Sequence, residues 1–395
     1  MPRHLFEILS PQAALARSEA LGAVDETYMR RALDLAWRAA GRTAPNPMVG
    51  AVVVCDGAIV GEGYHARCGD AHGEVVALDA AGESARGATL YVTLEPCSHH
   101  GRTPPCVDRI LESGVARVVV TTIDPDRRVD GRGVDVLRGA GVRVEVGCLP
   151  AAAAAQNLGY YKNRLGLEPT ITLKIAATLD GKIARAPGRR DDVTGVEARR
   201  YVHALRAAHD CVVVGVDTML VDAPALDLRL LERAGELRPP TPVVLDTHLR
   251  TPADNRWSAE GRPYVVVAGR TAGDDRARAI ESGGGRVVRC ESGDGGVSID
   301  GVLRALSGLG FGSVLVEGGA GVFTSFLRSG RWDAFYLFQS SRLFGDAGVP
   351  MFRGEGGDEI DGHLVDSTDV GGDILHRFLS TRAWDDVMPR VAARE

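Results

Sequence analysis

His72-Gly73-Glu74, and after it Thr93-Leu94-Glu95-Pro96-Cys97-Ser98-His99-His100-Gly101-Arg102-Thr103-Pro104-Pro105-Cys106, decide how this chain is read. One His and two Cys can hold a zinc ion and leave its fourth position open. Glu74 lies two residues past His72 and need not bind the metal; it can move protons between a water and a bound molecule. The flanking pattern places these residues on elements. Residues 72–81 read as a helix, 89–94 as a buried strand, 106–113 as a second helix and 115–123 as a second strand. His72 and Cys106 therefore open helices, and Cys97 follows a strand. Two helix N-termini directed at one site add positive potential, which favours the thiolate that metal ligation requires.

Working outward, Asp25 is a candidate cap for a helix carrying Met29, Leu33, Ala36 and Trp37 at helical spacing. Residues 49–55 and 58–61 are apolar runs split by Asp56-Gly57, a hairpin signal. Residues 134–140 read as a short helix and 142–146 as a strand. The order β-β-α-β-α-β-α-β predicts a three-layer α/β unit. Residues 151–169, with an Ala run and Asn157, read as a linker built on a single helix.

A second α/β unit begins at Thr170. Strands are expected at 170–176, 211–216, 243–246, 264–268, 286–289 and 313–317, and a helix at 196–208. Residues 335–338 alternate less clearly. Gly283 to Gly285 and Gly293 to Gly296 read as surface turns.

The chain has 395 residues, 45% of them hydrophobic, enough for two cores and too many for a disordered chain. A formal charge of -6 gives no global pull toward nucleic acid or an anionic membrane. No apolar run spans a bilayer, and residues 1–24 lack the order of a signal peptide. They read as a short extra helix or a frayed extension. Seven Cys, an odd and sparse set, argue against a disulfide framework and for a reducing, cytoplasmic setting. Cys55, Cys148 and Cys211 read as small buried apolar residues; Cys68 and Cys290 carry no signal.

His-x-Glu followed by Pro-Cys is the pattern of zinc-dependent base deaminases. The usual second segment is Pro-Cys-x-x-Cys, whereas eight residues, Ser98 to Pro105, separate the two Cys here. A structural zinc site would want a fourth protein ligand, for which His99 and His100 are at hand. The catalytic alternative is the stronger, because Glu74 stands where a proton shuttle is needed.

Read with Pro45-Asn46-Pro47-x-Val49-Gly50 and Gly61-x-Gly63-Tyr64-His65, these motifs closely resemble the bifunctional deaminase/reductase family of bacterial riboflavin biosynthesis. The long Cys-to-Cys interval is that family's form. The resemblance covers the chain from about Asp25 onward. It implies an extension over 1–24, a cytidine-deaminase-like three-layer zinc domain over 25–148, a linker over 149–169, and a dihydrofolate-reductase-like domain over 170–395. It also implies Zn2+ and NADPH as cofactors, a phosphorylated pyrimidine as substrate and a homo-oligomer, dimer or tetramer, with no nucleic-acid or membrane partner. In such proteins the first half deaminates a diaminopyrimidinone carrying a phosphoribosylamino group. The second half reduces the ribosyl group to ribityl phosphate.

Carried over by position, the resemblance makes His72, Cys97 and Cys106 the metal ligands and Glu74 the catalytic group. Asn46, His65 and Arg102 fall on the deaminase substrate side. In the second half it rests on Lys174-x-Ala176-x-x-Leu179-Asp180-Gly181, Thr194, Arg206, Val214-Gly215-x-x-Thr218, Asp222-x-Pro224-x-Leu226, Arg229 and Val316-Glu317-Gly318-Gly319. It implies reductase substrate contacts at Lys174, Arg190, Arg206, Leu226, Arg229 and Glu317. Cofactor contacts are implied at Ala177, Asp192, Thr218, Asp222, Thr247, Gly319, Ala320, Gly321, Val322, Phe323, Thr324 and Ser325. Independently of the family, the Gly318-to-Gly321 run before a helix suits a phosphate cradle, and Arg206 and Arg229 offer forks that match a phosphate.

The chain departs from the family at several positions. Gly73 replaces the usual Ala, Arg190 and Asp192 stand for Ser and Trp, and Asp222-Ala223-Pro224 replaces Asp-Asp-Pro. Gln339-Ser340-Ser341 stands where Ala-Pro is usual. A second reading follows: an active deaminase whose second domain is impaired or only binds ligand. A third, a nucleic-acid base editor or structural zinc module, would want a basic, aromatic-lined groove, against aromatics of 5% and a negative charge.

Overall fold

The computed structural model describes residues 21–99, 104–232, 234–293, 296–353 and 362–391. The expectations for residues 1–20, His100, Arg102 and the turn at 294–295 lie outside these. The chain divides into two compact units, Met1–Leu167 with Trp384–Glu395, and Glu168–Ala383.

In the first unit, α1 (Ala23–Trp37) begins before Asp25. Gly22 is the N-cap, and Asp25 Oδ2 accepts the Gly22 N–H at 3.3 Å from inside the first turn. Strands β1 (Gly50–Cys55) and β2 (Ala58–Tyr64) pair through a two-residue turn. Asp56 and Gly57 both have positive φ, 50° and 77°, as the mirror-image hairpin turn requires. Then follow α2 (Gly73–Ala81), β3 (Thr89–Val92), α3 (Cys106–Ser113), β4 (Arg117–Val120), α4 (Arg132–Gly139) and β5 (Arg143–Val146). The sheet order is β2-β1-β3-β4-β5, antiparallel over its first three strands and parallel over its last three.

The single linker helix expected from the Ala run is instead two, α5 (Pro150–Gln156) and α6 (Leu158–Arg164), broken at Asn157. Both belong to the first unit. Gln156 donates to Leu33 O at 2.8 Å, and the Asn157 amide closes a ring with the Met48 backbone, both bonds 2.9 Å. Asn157 is therefore a brace for the loop that carries Asn46.

In the second unit, β6 (Thr170–Thr178), β7 (Lys182–Ala184), α7 (Val196–Ala207), β8 (Cys211–Gly215) and α8 (Val216–Asp222) come first. The strand expected through Val216 stops at Gly215, and Val216 starts α8. Next are β9 (Thr241–Leu245), α9 (Arg256–Ala259), β10 (Tyr264–Gly269), α10 (Asp274–Ser282), β11 (Gly285–Cys290), the pair β12 (Ser292–Gly293) and β13 (Gly296–Val297), α11 (Ile299–Gly308), β14 (Ser313–Val316) and α12 (Ala320–Arg328). The chain continues through β15 (Ala334–Ser340), β16 (Val349–Pro350), β17 (Gly362–Val370), β18 (Asp373–Ser380) and α13 (Thr381–Val391). The large sheet runs β11-β10-β9-β8-β14-β6-β15-β18-β17, with β18 and β17 antiparallel at one edge. Residues expected to alternate poorly thus form the well-paired β15. Val, Ile and Leu on the parallel strands are buried on both faces, as in Val212 to Val214, Val243, Val244 and Val314 to Val316. Among the described residues no helix is long and apolar enough to cross a membrane.

Close helix–sheet approach in the first unit depends on missing side chains. A Cβ on Gly50 would lie 2.0 Å from Ala32 O of α1, and one on Gly63 would lie 2.4 Å from Ala77 N of α2. Gly139, at the end of α4, has nothing within 4 Å. Gly50→Ala is therefore expected to lower the unfolding free energy by about 2 kcal/mol or more through overpacking. Gly139→Ala should leave it unchanged or raise it by up to about 1 kcal/mol. Thermal and urea unfolding of the two variants beside the parent checks the contrast.

Candidate functional site

The ligands expected from sequence come together. One donor atom each from His72, Cys97 and Cys106 lies within 4.8 Å of the others. His72 is the N-cap of α2 and Cys106 the first residue of α3. His72 Nδ1 stands 3.0 Å from Cys106 Sγ and 3.7 Å from Cys97 Sγ, and the Cys106 N–H donates to Cys97 Sγ at 3.4 Å. Among the described residues the cluster includes neither Glu74 nor His99.

The electrostatics suit a cation. The Cys106 thiol, then the His72 imidazole and the Cys106 N–H, pull Cys97 down to about 4 against its burial. The same contact with Cys97 lifts His72 to about 9. Both shifts express one thing, a thiolate beside a protonated imidazole. A divalent ion takes the place of that proton when ligands of this kind bind it. Glu74 is buried, its Oε2 has no hydrogen-bond partner, and burial pushes its carboxyl above the usual range. The donor set and the orphaned carboxylate oxygen together fit a zinc ion with one open position.

A cavity of about 460 Å³ opens on this cluster. Asn46 and His65 line it, as expected from sequence. His65 Nδ1 lies 3.1 Å from the Ala71 carbonyl, so it carries the proton, and Nε2 is left to accept from Asn46 Nδ2 at 3.1 Å. Burial holds His65 below the ordinary histidine range, so the pair is a neutral hydrogen-bonding surface. Arg102 is not among the described residues.

Sequence reasoning missed the other wall. Glu95 takes four backbone N–H groups, from Asp124 (3.0 Å), Gly131 (2.9 Å), Gly133 (2.8 Å) and Val134 (3.3 Å). It ties the start of α4 and the end of β4 to the Pro96-Cys97 step. A Cβ on Gly133 would sit 2.0 Å from Pro96 O, so Gly permits that approach. Asp124 accepts from Tyr160 Oη at 2.9 Å, and burial lifts it to about 7. Asp126 is held by Arg128 at 2.7 Å and Arg164 at 3.3 Å. The available signal was position: Glu95 and Asp124 follow the C-terminal ends of parallel strands, where open α/β sheets gather ligand-binding groups.

Gly73, a departure from the family pattern, suits this backbone. A Cβ there would lie 2.7 Å from Val49 O, so Ala would push α2, and His72 with it, off β1.

The second unit holds a cavity of about 860 Å³. Of the expected substrate contacts, Lys174, Arg190, Arg206, Leu226, Arg229 and Glu317 all line it. Of the expected cofactor contacts, Asp192, Thr218, Asp222, Gly319, Ala320 and Phe323 line it. Ala177, Thr247, Gly321, Val322, Thr324 and Ser325 stand outside its lining. The Arg206 fork is already engaged: Nε and Nη2 donate to the two Glu317 oxygens at 2.7 and 2.9 Å. Burial opposes the charge of both, but each holds the other ionised, and Lys174 adds to the pull on Glu317. Desolvation keeps the Lys174 ammonium below the usual lysine range.

The Gly run behaves as a cradle. A Cβ on Gly318 would meet Val322 Cβ at 2.9 Å and Gly215 N at 3.2 Å, and the Gly319 N–H donates to Thr218 Oγ1 at 3.2 Å. Gly318, Gly319 and Ala320 line the cavity at the start of α12, the kind of helix start that suits a phosphate. Arg262, unremarked in the sequence, holds the backbone that carries Leu226 by donating to Ala225 O at 2.6 Å and Leu226 O at 2.8 Å. Asp192, where the family has Trp, pairs with Arg199 at 2.9 Å, both side chains being exposed.

Comparison with known proteins agrees with both halves. Residues 23–122 match the cytidine and deoxycytidylate deaminase zinc-binding region, and residues 169–376 match the RibD C-terminal domain. The chain is similar to the riboflavin biosynthesis protein RibD of Aquifex aeolicus, 40% identical over 82% of this chain and 88% of that one. It is also similar to that of Escherichia coli, 40% identical over 81% and 89%. Among solved structures, Acinetobacter baumannii RibD aligns with a TM-score of 0.72 at 34% identity, covering 91% of this chain and 99% of that one. The diaminohydroxyphosphoribosylaminopyrimidine deaminase/5-amino-6-(5-phosphoribosylamino)uracil reductase of Thermotoga maritima aligns at 0.71 and 35%, covering 90% and 99%.

Glu95→Gln tests the brace behind Cys97. Both carboxylate oxygens accept, and an amide nitrogen in place of one would face two donors. We expect a loss of about 2–4 kcal/mol, read by unfolding, with a fall in bound metal per chain read by elemental analysis.

Proposed function

The chain belongs to the bifunctional deaminase/reductase family of riboflavin biosynthesis, and from that membership we infer how its own residues divide the two reactions. The protein deaminates 2,5-diamino-6-(5-phosphoribosylamino)pyrimidin-4-one and then reduces the ribosyl group of the product to ribityl phosphate. We assign the first reaction to residues 25–148 and the second to residues 170–395. The reducing cytoplasm suits seven cysteines of which none is in a disulfide. The observation that carries the first assignment is the three-donor cluster with the unpartnered Glu74 oxygen beside it.

His72, Cys97 and Cys106 would hold Zn2+, which when bound supplies a nucleophile at neutral pH by lowering the pKa of water. Glu74 Oε2 takes the proton of the attacking water and delivers it to the departing amine. His65 holds the Asn46 amide in place by accepting from its Nδ2, and Asn46 Oδ1 with the remaining N–H is the face offered to the pyrimidine edge. Burial pushes the Glu74 carboxyl above the usual range, the direction that favours accepting a proton.

In the second site NADPH would supply the hydride. The Gly318–Gly319 turn, Thr218 and the start of α12 would hold its phosphates, with Asp192, Asp222 and Phe323 also lining the cavity; Ala177, Thr247, Gly321, Val322, Thr324 and Ser325 are assigned to it from the family resemblance alone. Arg229 and Arg190 face the substrate phosphate. Arg206, engaged by Glu317, aligns that carboxylate toward the sugar hydroxyls, and Lys174 sits beside both. Leu226 packs against the base.

Glu74→Gln is expected to retain about one zinc per chain and to lose ammonia release by about 10²–10⁴-fold. Ordinary turnover in that variant would remove the mechanism. Assaying the parent with the diaminopyrimidine, with and without NADPH, tests the division of labour. The assignment requires ammonia release without NADPH and NADPH oxidation that follows it. Ammonia without any oxidation would select the reading in which the second domain only binds ligand.

A further inference from the structure

In the second cavity one buried polar atom has no use in the account so far. His203 lies on α7, three residues before Arg206, lines the cavity and is 4% exposed. Its Nδ1 is sealed from solvent and has no hydrogen-bond partner. Asp227 Oδ1 stands 4.0 Å from it, held meanwhile by Arg229 Nη1 at 2.6 Å. Buried imidazole nitrogens are ordinarily satisfied, so an orphan at a cavity wall calls for a partner that arrives with the ligand.

The charged groups around the ring are already committed to one another. Arg206 is locked to Glu317, and Lys174 faces the same carboxylate. Burial first, then Arg206, hold the His203 imidazole far below its ordinary range, at about 4. It is neutral at physiological pH, with one N–H to give and one lone pair to offer. Asp227 favours a protonated ring and Arg229 works against it, so the ring can take a proton only once Arg229 leaves and that carboxylate turns to it.

We propose that His203 and Asp227 form an acid–base dyad that opens the ribosyl ring before hydride transfer. This rests on the reductase reading above and adds a step to it. Arg229 turns to the incoming phosphate and releases Asp227. A shift of about 1 Å then brings Oδ1 within hydrogen-bond reach of Nδ1–H, and the bond fixes the tautomer that presents the Nε2 lone pair to the substrate. Nε2 takes the proton from the amine nitrogen that bears the sugar. The nitrogen–C1 bond becomes double as the bond from C1 to the ring oxygen breaks, and the imidazolium returns the proton to that oxygen. The opening is an isomerisation and needs no oxidant or reductant. The opened form presents C1 as an imine carbon, for which NADPH, when bound, would supply the hydride, and the nitrogen takes a proton from solvent.

The test uses the full chain, the deaminated pyrimidine made by its own first site, and NADPH with hydrogen or deuterium at the transferred position. For His203→Ala we expect NADPH oxidation to slow by about 100-fold or more. The deuterium effect should fall toward unity, because ring opening has become the slow step. Ammonia release and NADPH affinity, read by fluorescence titration, should stay as in the parent. Asp227→Asn should show the same collapse of the isotope effect with a smaller loss of rate. The dyad is overturned by rates within threefold of the parent, by slowing that keeps the full isotope effect, or by a loss that travels with NADPH affinity. A parent chain that releases ammonia but never oxidises NADPH removes the reductase reading, and the dyad with it. Unaffected variants in an active parent remove the dyad alone.

Discussion

Two thiols and an imidazole within 4.8 Å of one another set the constraint on which the first unit depends. Such a group concentrates negative charge once its sulfurs ionise, and the N-termini of α2 and α3 offset only part of it. A divalent cation offsets the rest. The helices must start where they do, so the sheet beneath them must let them approach. That is what Gly50, Gly61 and Gly63 provide, since a side chain at any of them would meet backbone of α1 or α2. Glu95 anchors the Cys97 segment from behind by collecting the N–H groups at the start of α4. Metal chemistry, helix placement and glycine positions are thus one arrangement seen at three scales.

The second unit meets a related problem with the opposite sign. Its cavity sets a carboxylate, Glu317, among the cationic side chains Lys174, Arg206 and Arg229. Glu317 can be buried there because Arg206 bonds it through two nitrogens and Lys174 stands nearby. An unpaired carboxylate in that position would be strongly destabilising. The pairing aims Glu317 into the cavity and leaves Arg229, which is more exposed, to meet an anion.

Much of this was legible in the chain itself. His72, Cys97 and Cys106 declared themselves because ligand chemistry restricts residue types and because each opens or follows an element with clear periodicity. The Asp56-Gly57 hairpin was legible because its turn demands positive φ. Asn157 was not, since only the folded chain brings it to Met48; a polar residue just past an Ala run says nothing about a partner 109 positions away. Glu95, Asp124 and Tyr160 escaped for the same reason, being functional only through long-range contacts. The phosphate role first attached to Arg206 rested on its fork, and the fork's partner, Glu317, lies 111 residues on. β15 was obscure because its faces are unevenly buried, so the alternation that marks a strand was weak.

The most direct measurement is elemental analysis joined to zinc X-ray absorption on the purified full-length chain. The account predicts one zinc per chain, with two sulfurs at about 2.3 Å, one imidazole nitrogen, and one light atom from solvent. A chain carrying no stoichiometric metal, or a zinc enclosed by four protein donors, would contradict it.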